Sequence, residues 1–106
     1  MAQALPPKPP GDVAATWAMI RTLQSERQGV VALRQSLATL LSGTSDLSGL
    51  YMLPVTTYRI AALAEADAAL AGVDAAIASA TTAVRRLERD LVTWQQECAR
   101  IKAAAT

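Results

Sequence analysis

The chain has 106 residues, ten basic and nine acidic, with no histidine and one cysteine. That length holds one domain, and a net charge of +1 leaves no tract for a nucleic-acid tail or an acidic solvating tail. One thiol without histidine supplies neither an internal disulfide nor the four ligands of a structural zinc site.

Residues 1–11 carry Pro6, Pro7, Pro9 and Pro10. Proline locks φ and removes a backbone donor, so this arm is expected to be extended and polyproline-like. It shows no basic leader followed by an apolar core, and synthesis in the cytoplasm is the expectation. A helix is expected over residues 12–41. Asp12, directly after Gly11, can cap it by offering a carboxylate to the open N–H groups of the first turn. The best seam of this helix reads Met19, Leu23, Glu26, Val30, Leu33, Leu37 and Leu40, broken once by Glu26. A lone polar residue on a seam specifies register at a cost in stability. Gly29, about 1 kcal/mol worse than Ala inside a helix, marks a candidate break. Arg21, Arg27 and Arg34, about a heptad apart, read as a basic line on a solvated face.

Residues 42–54 form the connection, with Gly43 and Gly49 as breakers and Pro54 as a stop. It is apolar for a loop, carrying Leu47, Leu50, Tyr51, Met52 and Leu53. It is longer than most helix–helix links, and two readings stay open: a plug for the hairpin end, or a docking surface. A long second helix is expected over residues 55–102. Its seam runs Leu63, Ala66, Leu70, Val73, Ile77, Ala80, Val84, Leu87, Leu91, Trp94, Cys98 and Ile101. The steps alternate three and four without a miss, the rule for a helix packed on a helix. Ala62, Ala69, Ala76 and Ala83 stand just before the seam residues and suit close approach of a neighbour. Charge divides the same helix: residues 59–83 set three acids against Arg59, whereas residues 84–102 carry five basic and three acidic groups.

In a hairpin with these ends, facing residue numbers add to about 96, so the first helix runs out opposite residue 84. Val84, Leu87, Leu91, Trp94, Cys98 and Ile101 are then left without a helix of this chain, and each large side chain kept in water forgoes about 1.5–3 kcal/mol. The proline arm matches the bare stretch in length but brings little apolar mass, so a separate protein chain is the expected cover. The expected partner-binding residues are therefore those six, the loop residues Leu47, Leu50, Tyr51, Met52 and Leu53, and the arm prolines Pro6, Pro7, Pro9 and Pro10.

Candidate chemistry is thin. Glu26 lacks a second titratable group, and Cys98 sits on the seam without a histidine to activate it. Asp67 and Asp74 offer too few oxygens for a hard cation. Glu88 and Asp90 interrupt the cluster Arg85, Arg86 and Arg89, and stacking aromatics are missing. No Gly-rich phosphate loop is present, and the uncharged stretches fall short of the roughly 18 apolar residues of a membrane span. No catalytic residue, cofactor or metal site is expected, and no nucleic acid, membrane or small-molecule substrate. The expected fold is all-α: an antiparallel helical hairpin with an overlong second helix, coiled-coil-like packing and an extended N-terminal arm. The expected function is a non-enzymatic structural subunit of a larger complex, homo-oligomeric or mixed, with a bacteriophage head–tail, tail or baseplate component as the leading reading. The alternative is a small chaperone or adaptor that binds a client helix.

Overall fold

The computed structural model describes residues 4–43 and 53–105. Among them the chain forms two α-helices, α1 (Val13–Gly43) and α2 (Leu53–Ala105), with no strand. The helices pair antiparallel as a hairpin. Leu47, Leu50, Tyr51 and Met52 lie outside the described residues; Leu53 opens α2, and its side chain also lies outside them.

Local chemistry explains where α1 begins. The Asp12 carboxylate accepts from the Ala15 N–H at 3.0 Å. The Asp12 carbonyl accepts from the N–H of Thr16 at 3.0 Å and from its hydroxyl at 2.8 Å. This is the N-cap arrangement, with a side-chain oxygen satisfying a donor that the helix itself cannot. Just before it, Gly11 has φ of 126°, a conformation that side chains disfavour. From Val13 the helix continues without interruption through Gly29, so the candidate break does not occur.

The helices contribute to two compact units, one comprising the chain up to Ile20 together with the chain from Ala78 onward, the other Arg21–Ile77. In the Arg21–Ile77 unit, Arg27 Nε donates to Asp74 Oδ1 at 2.5 Å and Arg34 Nε to Asp67 Oδ1. Both pairs of residue numbers add to 101, which sets the antiparallel register here and differs from the 96 expected from the helix ends.

The register also selects the face of α1. Leu23, Arg27, Val30, Leu37 and Leu41 are half-buried, whereas Glu26 is exposed and Leu33 and Leu40 are 56% and 46% exposed. The expected seam through Glu26 is thus rotated by one position, while Leu23, Val30 and Leu37 belong to both phases of the repeat. Arginine tolerates the inner phase because its long stem can line apolar surface while the guanidinium reaches an edge carboxylate. Arg21 lies six residues before Arg27 rather than seven, so it falls off that line, and it is exposed.

On α2 the expected seam holds. All twelve positions from Leu63 to Ile101 are buried or half-buried. The alanine row behaves differently: Ala62 is half-buried, but Ala69, Ala76 and Ala83 are exposed. In the Arg21–Ile77 unit α1 engages the edge bearing Asp67 and Asp74, which turns Ala69 and Ala76 toward water.

In the unit formed by the chain up to Ile20 and the chain from Ala78, Ile20 and Val84 are each 1% exposed, and Cys98 and Ile101 are also buried. Residues 4–12 form neither helix nor strand here. They nevertheless reach α2: the Trp94 indole Nε1–H donates to the Pro6 carbonyl at 2.9 Å. Of the two covers open to the stretch beyond residue 84, the chain's own N-terminal segment lies against it at Leu87 and Trp94.

Candidate interaction surfaces

The first surface is the contact between residues 4–11 and α2. Pro6 and Pro9 are half-buried, and Leu5, Pro7, Lys8 and Pro10 are exposed. The half-buried prolines are three apart, the period of one polyproline II turn. A prolyl carbonyl in such a segment has no donor within the segment, so the Trp94 indole, a donor that needs a partner when covered, completes both. The Lys8 ammonium stands 5.9 Å from the Trp94 ring centroid, a cation–π contact worth about 0.5–1 kcal/mol at an exposed site. At the other end the segment passes so close to α2 that a Cβ on Gly11 would come within 2.8 Å of Leu87 Cδ2. An open groove beside this contact is lined by Pro9, Pro10, Thr82, Arg86, Leu87 and Asp90, among others.

The expected partner-binding residues of α2 fall into two groups. Val84, Cys98 and Ile101 are buried; Leu87, Leu91 and Trp94 are half-buried, with Leu87 and Trp94 facing the N-terminal segment. Cys98 is a free thiol and acts as a small core side chain. One turn from Trp94, Arg100 donates to Glu97. That hydrogen bond holds the Glu97 carboxyl below its ordinary value and raises Arg100 above its own.

The second surface belongs to the Arg21–Ile77 unit and was not legible from the seam assignment. Among the described residues of that unit only Ala66 is fully buried. Leu33 and Leu40 are roughly half exposed, and Tyr58 is 74% exposed. In an antiparallel pair, the edge position before each seam residue lies on the same side on both helices. Leu33 and Leu40 therefore share a side with Ala62, Ala69 and Ala76, and Tyr58 follows on that side. The Arg27–Asp74 and Arg34–Asp67 pairs occupy the opposite side. The signal that could have exposed this arrangement was the matched heptad spacing of Arg27 with Arg34 and of Asp67 with Asp74.

Among the described residues no group of three His, Cys, Asp or Glu side chains is placed to hold a metal ion. No described helix is long and apolar enough to cross a membrane. Comparison with protein-family models, characterised proteins and solved structures gives no match.

Proposed function

We propose that the protein is a non-enzymatic assembly subunit that works by binding other protein chains, and that the Leu33–Leu40 side of the Arg21–Ile77 unit is the main contact surface. The observation that carries this reading is the mismatch in burial: large apolar side chains recur at heptad spacing on α1 and stay about half in water. Two helices can cover only the stripe between them, and a third helix laid against Leu33, Leu40, Ala62 and Ala69 would bury what the pair leaves open. Small alanines there would let that helix approach closely.

The finer reading is a structural component of a bacteriophage virion, in its head–tail joint, tail or baseplate, made in the cytoplasm and carried into the particle. Support for it is compositional: the chain is rich in Ala and uses eight Arg against two Lys, which suits a high-GC genome. The same exposed row also supports the alternative, a small chaperone or adaptor that shelters a client helix.

Light scattering on the full-length protein across a concentration series tests the binding reading. A defined oligomer that disperses in Leu33→Glu/Leu40→Glu, with helical circular dichroism retained, is the expected outcome. An oligomer whose mass is unchanged by that double substitution would sink the assignment of the surface. The two finer readings part on whether the protein persists in the finished particle, as a structural subunit does, or is missing from it, as a chaperone is.

A further inference from the structure

We infer that residues 5–10, held on α2, display a proline-rich recognition surface for a protein partner whose groove combines aromatic slots with an acidic rim. This surface is separate from the Leu33–Leu40 side and does not depend on it.

The sequence constrains the segment before any contact forms. Proline fixes φ at positions 6, 7, 9 and 10, and a following proline biases Leu5, Pro6, Lys8 and Pro9 toward extended ψ. Both restrictions favour the polyproline II helix, with three residues per turn. Side chains then fall on three edges: Pro6 with Pro9, Pro7 with Pro10, and Leu5 with Lys8. Burial follows this division. Pro6 and Pro9 are half-buried, whereas the other four are exposed. The segment thus contains two Pro-x-x-Pro registers, and α2 covers only the one at Pro6 and Pro9.

The outward register has the form of a ligand. Pro7 and Pro10 stand one polyproline turn, roughly 9 Å, apart, and aromatic-lined grooves read prolines at this spacing. Leu5 and Lys8 lie along the adjoining edge. The Lys8 ammonium stands 5.9 Å from the Trp94 ring centroid, near the limit of about 6 Å for a cation–π contact. A carboxylate on the partner would offer it a stronger, charge-assisted hydrogen bond. The inner contacts fix how this ligand is presented: Trp94 donates to the Pro6 carbonyl at 2.9 Å, and Leu87 closes against Gly11. The partner therefore meets a segment already ordered, which removes that entropy cost from binding. The open groove beside Pro9 and Pro10 leaves room along the Pro10 edge.

Titration of the nitrogen-15-labelled full-length protein with an SH3 domain that has an acidic rim tests the proposal. The Leu5 and Lys8 amide signals are expected to shift, while the Trp94 indole N–H signal stays near its native position. Pro7→Ala/Pro10→Ala is expected to weaken binding by about tenfold or more with helical circular dichroism retained, and Lys8→Glu is expected to weaken it as well. Leu33→Glu/Leu40→Glu should bind the domain as the native protein does, which separates this surface from the assembly contact. No binding at millimolar domain, or undiminished binding by the Pro7→Ala/Pro10→Ala protein, would overturn the proposal. So would a Trp94 signal that moves to the position seen in a variant lacking residues 1–10, because the domain would then be pulling the segment off α2.

Discussion

Three glycines show how a single position can carry opposite requirements. Gly11 combines a positive φ with a close approach, since a Cβ there would come within 2.8 Å of Leu87 Cδ2. Gly29 and Gly72 sit inside helices, exposed, with nothing within 4 Å of where a Cβ would stand. Helix interiors disfavour glycine by about 0.5–1 kcal/mol relative to alanine. Gly29→Ala and Gly72→Ala are therefore each expected to raise stability by that amount in thermal or urea denaturation. Gly11→Ala is expected to lower it by about 1 kcal/mol or more, because strain and collision act together. Asp12 was readable as a cap without the structure, since its role depends on neighbours three and four residues away. Gly11's contact with Leu87 was not, since its partner lies 76 positions along the chain.

At the scale of the element, the two helices were unequally legible. The α2 seam follows one phase with no competitor, and every position in it is removed at least partly from water. The α1 sequence supports two phases that share Leu23, Val30 and Leu37. One exposes its arginines and the other exposes Leu33 and Leu40; the fewest-charges criterion favours the first. The structure takes the second, because Arg27 and Arg34 meet Asp74 and Asp67 in one register. Each pair is roughly half exposed, so its contribution is only about 0.2–1 kcal/mol. The pairs thus select an alignment more than they supply stability: a slip by one heptad would keep apolar residues on the seam but leave only one arginine facing an aspartate. Arg27→Asp and Asp74→Arg alone are each expected to destabilise by about 1 kcal/mol through like-charge contact. The double exchange should recover most of that loss in chemical denaturation, and a strictly additive double variant would argue against the pairing.

For the molecule as a whole, burial separates the two units. The one that includes residues 4–12 holds Ile20, Val84, Cys98 and Ile101 out of water, and the described part of the other holds only Ala66. Local opening follows buried apolar contact. Backbone amides of α1 are therefore expected to exchange more slowly over residues 13–20 than over 23–41, and those of α2 more slowly over 84–101 than over 60–77. Hydrogen exchange read by mass spectrometry checks this, and uniform protection along both helices would contradict it. Binding of a partner to the Leu33–Leu40 side should slow the second set selectively.

Sequence alone was sufficient for features set by short-range periodicity and composition: an all-α hairpin of two long helices, the seam of α2 and the cap at Asp12. Each depends on residues within a turn or two of one another, where spacing translates directly into geometry. Tertiary structure decided which face of α1 turns inward, the register of the pair and the cover over Trp94. Those outcomes depend on long-range complementarity between an arginine and an aspartate, or between an indole and a prolyl carbonyl. Several alignments bury similar apolar area, and small electrostatic and hydrogen-bonding differences choose among them.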